Sequence, residues 1–193
     1  MDAEQRCKLD AFYAATEKTA LIQAHIACGS REDAFDIVQD AMIKLAKAYP
    51  TRSSEWPALF QRILQNVIRD FYRRKRVRRI LLFWESTSRS EDSEASDGSI
   101  TVELDQLAVG SRQEQPEVLA ASAQLKTRLA RALQKLPLRQ QQAFILRAWH
   151  NYSTEEAATA MECSAGSVKS HYSRALTQLR KHPQLLELES AKH

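Results

Sequence analysis

Helix-breaking residues are scarce in this chain, and their scarcity restricts its fold more than any other feature. The 193 residues include only four glycines and five prolines. Alanine, leucine, glutamine, glutamate, lysine and arginine, which favour helix, are abundant. No stretch of alternating apolar and polar residues is bounded by turn residues, so a substantial β-sheet is not expected. The sequence therefore predicts an all-α protein.

Charge divides the chain into three parts. Residues 85–117 contain nine acidic and two basic residues, a net charge of −7, whereas the whole chain carries +4. The remainder therefore carries +11, in two basic parts joined by an acidic, serine-rich segment. This segregation favours a polyanionic partner, above all nucleic acid. We predict two small helical domains, residues 1–84 and 118–193, joined by a flexible linker, residues 85–117.

Two amphipathic helices are predicted in the first domain. The first starts near Ser30 and ends before Pro50, and one of its faces is polar, with Asp36, Gln39 and Asp40. A polar loop, residues 51–56, leads to the second helix. Its apolar stripe continues into a cluster of like charges, which repel one another unless a polyanion is near. Phosphate contact is the expected role of these residues, which are Arg69, Arg73, Arg74, Lys75, Arg76, Arg78 and Arg79.

A helix-turn-helix is predicted between Tyr152 and Arg180. Ser153 and Glu156 have the spacing of a capping box, which starts a short helix ending at Met161. Ser164 caps the next helix, whose expected inner face consists of Val168, Tyr172, Ala175, Leu176 and Leu179. Its exposed polar residues lie near the N-terminal end, where a recognition helix contacts base edges. They are Ser167, Lys169, Ser170, His171 and Arg174.

Two further helices are predicted upstream of the helix-turn-helix. One starts at Pro116, a favourable first-turn residue, and is broken at Pro137. The other spans residues 140–150 and is expected to turn Phe144, Ile145 and Trp149 inward.

Several classes of protein and of site are disfavoured. The N-terminal residues are charged and no apolar core follows them, so we expect no signal peptide and a cytoplasmic protein. The longest apolar run, residues 80–84, is too short to span a bilayer. Cys7, Cys28 and Cys163 show no paired CxxC spacing, and nothing completes a site with His25 and Cys28. Neither a metal nor a cofactor is expected.

With these motifs identified, the chain resembles a bacterial RNA polymerase sigma factor of the extracytoplasmic-function type. Residues 33–40, DAFDIVQD, are similar to the family's region 2.2, and residues 56–74 to its regions 2.3 and 2.4. Leu136-Pro137, Ser153-x-Glu155-Glu156 and residues 166–170, GSVKS, resemble region 4. The chain departs from the family pattern at Leu59, where tryptophan is usual, and at Ala157, where isoleucine is usual. Trp56 or Phe60 is expected to fill the core in place of the missing tryptophan.

The resemblance implies partners and roles for matching positions. Asp36, Gln39 and Asp40 would bind core RNA polymerase. The melted non-template strand at the minus-ten element would be bound by Arg52, Ser53, Ser54, Trp56, Asn66, Asp70, Arg73, Arg74 and Arg76. Duplex DNA at the minus-thirty-five element would be read by Ser164, Ser167, Lys169, Ser170, His171 and Arg174. The exposed faces of both domains would suit an anti-sigma factor, and no membrane insertion is implied.

Three other interpretations remain open on the sequence. Residues 168–171, VKSH, also resemble a response-regulator-type transcription factor, although residues 1–80 lack the alternating strands and helices of its phosphoacceptor domain. An enzyme would require Cys163 to act with His150 or His171, and no orienting acid has suitable spacing. The third interpretation is an adaptor that binds polymerase without recognising promoters. No catalytic residue is predicted.

Overall fold

The computed structural model describes residues 3–86 and 126–181, and every regular element within them is helical. The all-α prediction is therefore confirmed. The elements are α1 (Ala3–Cys28), α2 (Arg31–Ala48), a 3-10 turn (Ser53–Glu55), α3 (Trp56–Ser86), α4 (126–134), α5 (Leu138–Phe144), a π-helical turn (Ile145–Trp149), α6 (Thr154–Met161) and α7 (Ala165–Arg180). The predicted helix start at Pro116 lies outside the described residues, as does the predicted linker except for residues 85 and 86, which belong to α3.

Side-chain caps set the helix starts that the sequence predicted. The Ser30 hydroxyl accepts from the amide of Asp33 at 3.3 Å, at the start of α2. At the start of α6 the Ser153 hydroxyl accepts from the Glu156 amide at 3.1 Å, and the Glu156 carboxylate accepts from the Ser153 amide at 2.7 Å. Both halves of the predicted capping box are therefore present. Each cap satisfies amides that the first helical turn leaves without a partner.

An aromatic cluster fills the core of the N-terminal half. Trp56 and Phe60 are 2% and 0% exposed, and the ring of Phe12 lies 5.8 Å from each of theirs. Trp56 also donates its indole N–H to the Tyr49 carbonyl at 2.8 Å. Leu59 is buried beside them, so Trp56 and Phe60 compensate for the aromatic residue that is missing there.

Helix α1 was not indicated by the sequence patterns, and burial explains this for its second half. Its first half is exposed apart from isolated positions such as Leu9, whereas residues 23–28 are buried without interruption. A helix enclosed on all sides has no polar face, and so it lacks the 3.6-residue period on which the prediction of helices depends. The enclosed end of α1 lies between the two halves of the protein.

In the C-terminal half, residues of the predicted inner face of α7 contribute to the core. One residue upstream of α7, Trp149, differs from its prediction. Val168, Ala175 and Leu179 are buried, and Ile145 is 2% exposed. The inward orientation predicted for Trp149 is wrong, because its side chain is 42% exposed. Residues 145–149 form a π-helical turn, whose wider repeat rotates later side chains away from the positions that an α-helix would give them.

The two halves pack against each other in this structure. Ile26 of α1 is fully buried among Leu133, Ile145 and Leu179 of the C-terminal half. In return, Leu138 of α5 packs against the core of the N-terminal half. Among residues 3–86 and 126–181, no helix is long and apolar enough to cross a membrane.

Trp56 tests whether the aromatic core has been assigned correctly. Trp56→Phe should lower the free energy of unfolding by about 1–2 kcal/mol, because it removes the bond to Tyr49 and part of a buried ring. Trp149→Phe makes the same change at an exposed site and should alter stability by less than about 0.5 kcal/mol. Urea denaturation followed by helical circular dichroism gives both values. Equal effects of the two substitutions would contradict the assignment.

Candidate polymerase and nucleic-acid interface

The polar face predicted to bind polymerase lies along α2. Asp36 and Gln39 are exposed, and Asp40 is partly exposed and forms an ion pair with Lys44 at 2.9 Å. Asp36 lies between two grooves. One groove separates α2 from α1 and is lined by the exposed apolar residues Phe35 and Ile43. This face therefore offers both charge and apolar surface to a partner.

The second groove, between α2 and α3, carries opposite charges on its two walls. Asp36 and Asp40 lie on the α2 side, Arg74 and Lys75 lie on the α3 side, and Phe71 lies among the apolar residues of the groove. Its volume is about 660 Å³. Arg74, predicted to bind DNA, thus shares a groove with two residues predicted to bind polymerase. The structure brings those two predicted sites side by side.

The loop before α3 is held in a defined conformation by Tyr49. The guanidinium of Arg52 lies 5.5 Å from the centre of the Tyr49 ring and forms an ion pair with Glu55. That pairing lowers the pKa of Glu55. Arg62 donates to the Tyr49 hydroxyl at 3.1 Å from the next helix. Ser53 and Ser54 remain exposed in the 3-10 turn, so their hydroxyls are accessible to a strand of DNA.

Trp56 differs from the other residues predicted in this loop. Its ring is in the core, and its indole N–H already has a partner. In this conformation it cannot stack on an extruded base, and it instead fixes the loop on the aromatic cluster.

The basic face of α3 is largely accessible. Arg73, Arg74 and Arg76 are exposed, and Asp70 forms an ion pair with Arg73 at 3.5 Å. This separation and the exposure of both side chains make the pair weak, so it leaves Arg73 available for phosphate. Cations aligned along one helix suit a backbone of regularly spaced charges.

Asn66, predicted to contact a base, is occupied in this structure. Its amide donates to the Glu162 carboxylate at 2.7 Å, and Arg69 donates to the other oxygen of that carboxylate, also at 2.7 Å. Arg69 also donates to the side-chain oxygen of Asn66 at 2.5 Å. These hydrogen bonds lower the pKa of Glu162. Three side chains, two from α3 and one from the turn of the helix-turn-helix, therefore form a closed set of hydrogen bonds.

The same turn is capped by cations from both halves. The carbonyl of Met161, at the end of α6, accepts from Arg139 at 2.6 Å and from Arg69 at 3.4 Å. Guanidinium groups are favourable here, because the carbonyls at a helix C-terminus carry partial negative charge. Arg139 and Glu162 were not among the predicted site residues, and Arg69 was predicted only to contact phosphate. In the sequence these residues are distinguished only by their charge, and no local pattern indicates that they lie close together in the fold.

The recognition helix α7 presents its predicted polar face. Ser164 accepts from the Ser167 amide at 3.1 Å, and the two hydroxyls lie 2.8 Å apart. Lys169, Ser170 and Arg174 are exposed. His171 is partly buried, and burial, followed by the charges of Arg139 and Arg174, lowers its pKa. Five of the six predicted residues lie within two turns of one helix, and Ser164 caps that helix.

Cys28 and Cys163 are both packed within the protein, whereas Cys7 is exposed. Cys28 donates its thiol to the Ser30 carbonyl at 3.0 Å, and burial raises its pKa to about 11, which disfavours a thiolate nucleophile. Cys163 packs against the apolar cluster of the helix-turn-helix. Among the described residues, no group of three or more His, Cys, Asp or Glu side chains is placed to hold a metal ion.

Comparison with known proteins agrees with this geometry. Residues 126–179 match the family described as Sigma-70, region 4. The RNA polymerase sigma-E factor of Streptomyces antibioticus is 41% identical over 59 residues, which are 31% of this chain and 33% of that protein. The chain thus matches about a third of that relative's length.

A solved structure shares the fold over most of the chain. It is the sigma factor RpoE in complex with the anti-sigma factor NepR from Bartonella quintana, and it matches with a TM-score of 0.57 and 24% identity. The match covers 92% of this chain and 96% of that one. Residues 126–179 therefore resemble region 4 of the sigma-70 family, and these matches confirm the resemblance of the chain to the sigma factors of the extracytoplasmic-function type.

Proposed function

We propose that this chain is a sigma factor, which binds core RNA polymerase and directs it to promoters, where it opens the DNA and starts transcription. The observation that carries the proposal is the sigma-70 region 4 match over a helix-turn-helix with an exposed, basic recognition helix. The response-regulator interpretation gains no support from these matches. The protein would act in the bacterial cytoplasm, as a subunit without a catalytic site of its own.

Each of the three parts of the sequence is assigned a separate function in this proposal. Residues 1–84 are region 2, which binds polymerase and the minus-ten element. Residues 118–193 are region 4, which binds the minus-thirty-five element, and residues 85–117 connect the two. The accessible arginines of α3 and the accessible polar face of α7 support this division, because melted DNA and duplex DNA then each have a separate surface.

Promoter opening requires that the free energy of binding the extruded bases offsets the free energy lost when the base pairs unstack. Separating a base step costs a few kcal/mol, so the open form persists only when extruded bases and their phosphates are held. Arg52, Ser53, Ser54 and Asn66 would hold bases, and the arginines of α3 would hold the backbone. The loop is already fixed by Tyr49, which reduces the entropy lost on binding.

Two partners other than DNA are proposed. Core polymerase would bind α2 through Asp36, Gln39 and Asp40, beside the apolar groove that contains Phe35 and Ile43. An anti-sigma factor is the second partner. The solved structure that shares this fold is a complex with one, and the exposed apolar residues of this chain would suit a similar interaction.

The direct test is transcription in vitro. The purified chain is added to sigma-free bacterial core polymerase with sheared genomic DNA, and transcript starts are sequenced. We expect starts that share two spaced upstream elements, and the same reaction without the chain serves as the control. Binding to core without such starts would identify an adaptor instead. The absence of binding to core would favour a helix-turn-helix regulator.

The polymerase face is tested by Asp40→Arg. The reversed charge should weaken association with core polymerase at least about tenfold, as expected for loss of a specific charged contact at an interface. Asp10→Arg makes the same charge change at an exposed residue of α1 that lines neither groove. Competition against a labelled sigma factor measures both affinities. Unchanged association of Asp40→Arg would refute this role for α2.

The recognition helix is tested by the double variant His171→Ala/Arg174→Ala. Each contact to a base edge contributes about 1–3 kcal/mol of discrimination, so promoter selection should fall by about tenfold or more. Binding to core should be unchanged. Thr177→Ala/Gln178→Ala alters two exposed residues later on the same helix and is the matched control. If the first variant instead loses core binding, α7 does not have the proposed role.

A further inference from the structure

The ion pair between Arg52 and Glu55, in the loop before α3, has a defined geometry but adds little to stability. The two side chains are 51% and 49% exposed. Ion pairs at such exposure contribute little, because water screens the charges and both side chains lose rotamer freedom. The Nε of Arg52 nevertheless donates to one carboxylate oxygen of Glu55 at 2.8 Å, and its Nη2 donates to the other oxygen. The pair is therefore better suited to binding a ligand than to holding the fold.

Contacts of Tyr49 and a bond within the turn fix the pair in place. The Arg52 guanidinium lies 5.5 Å from the centre of the Tyr49 ring, so one of its faces is covered. Tyr49 is itself held, because its hydroxyl accepts from Arg62 at 3.1 Å and its carbonyl accepts from the Trp56 indole at 2.8 Å. The Glu55 amide donates to the Arg52 carbonyl at 3.0 Å, which brings the two side chains together. A ligand therefore meets Arg52 through the edge of its guanidinium.

The pairing leaves a defined set of hydrogen-bonding groups available. Glu55 uses the Nε side of the guanidinium, and no other side chain of the described residues accepts from Arg52. The two Nη atoms thus retain a pair of parallel N–H groups. Each oxygen of the carboxylate retains a lone pair. The hydrogen bond from Arg52 lowers the pKa of Glu55, so the carboxylate stays ionised and acts only as an acceptor. The pair therefore presents an acceptor beside two parallel donors.

Among the DNA bases, cytosine has the edge that complements this arrangement. An extruded base is read on its Watson–Crick edge, and that of cytosine carries an amino donor, N4, beside two adjacent acceptors, N3 and O2. Adenine offers its amino donor beside a single acceptor. Thymine and guanine would place a carbonyl oxygen, rather than an amino group, against the carboxylate. Carboxylate side chains accept from cytosine N4 in known complexes, and arginine donates to paired acceptors of a base.

We propose that Glu55 is a specificity-determining residue, which together with Arg52 reads an extruded cytosine of the non-template strand. This inference rests on the proposed function, because it requires the loop to meet melted DNA. Glu55 accepts from N4, and Arg52 donates to N3 and O2. A carboxylate repels phosphate, so its position on a surface that binds DNA is explained by a contact with a base amino group. The same charge repels the carbonyl oxygens of thymine and guanine, which adds to the discrimination.

The test measures base preference rather than affinity alone. Glu55→Met keeps a side chain of similar length but removes both acceptor oxygens. Glu4→Met is the matched control, because Glu4 also forms an exposed ion pair in the same half, with Lys8 at 2.6 Å. Each full chain is combined with sigma-free core polymerase. The holoenzyme then selects from short single strands of DNA with a randomised segment, and the bound strands are sequenced.

A change in base preference at one position is the expected result. The parent holoenzyme should enrich cytosine at one position of the selected strands. Glu55→Met should reduce that preference about tenfold, because the acceptor for N4 is lost, and should leave the other positions unchanged. Glu4→Met should match the parent. A purely structural role of Glu55 would instead weaken binding to all sequences alike.

A second measurement tests the contact itself. In the selected strand the cytosine is replaced by 2-pyrimidinone, which lacks only the amino group. Fluorescence anisotropy measures the affinity of each holoenzyme for the two strands. The replacement should weaken binding by the parent about tenfold and binding by Glu55→Met hardly at all, since the partner of the amino group is already absent. Equal losses in both would overturn the proposed contact.

The remaining outcomes separate this inference from the proposed function. Selection of strands without cytosine at any fixed position, or a cytosine preference that Glu55→Met retains, would overturn the role of Glu55. Either result would leave the proposed function intact, because the holoenzyme would still bind particular strands. No selection by the parent holoenzyme beyond that of core polymerase alone would overturn both the role of Glu55 and the proposed base-capturing surface.

Discussion

Side chains that satisfy the free ends of helices hold this structure together. The last carbonyls of a helix lack partners within it, and they must find others when the end is buried. The end of α1 is enclosed between the two halves, where Gln134 and Gln141 donate to it. The end of α6 accepts from Arg69 and Arg139. Each of these helix ends thus accepts at least one hydrogen bond from the opposite half of the protein, so the capping of the helices depends on how the halves are arranged.

This linkage has a functional consequence for the basic helix α3. Arg69, which helps to cap α6, and Asn66, which pairs with the following turn, lie on the helix proposed to bind melted DNA. Arg69 serves both the Met161 carbonyl and the Glu162 carboxylate. The exposed arginines Arg73, Arg74 and Arg76 lie further along the same helix and remain accessible. The proposed contacts of these arginines with phosphates are therefore compatible with the packed arrangement of the halves, whereas the proposed capture of a base by Asn66 would require its hydrogen bond to Glu162 to break.

Sequence reasoning succeeded where a local rule was sufficient. Ser30, Ser153 and Ser164 were identified as caps from spacing alone, and each accepts the expected amide. The inner face of α7 followed from its period. The candidate residues on α2 and α7 were identified by family resemblance and are mostly exposed, as a binding face must be. Their contacts with polymerase and DNA stay predictions.

Composition and periodicity by themselves determined that the chain is helical, where most of its helices start and which faces they bury, because these depend on residues within a few positions of one another. Only the tertiary structure decided the rest. The enclosed end of α1 has no period to detect, and the π-helical turn moved Trp149 outward. The Glu162 cluster joins residues 93 and 96 positions apart in the chain. Contacts at such separation follow from how the helices pack, and no local pattern encodes them.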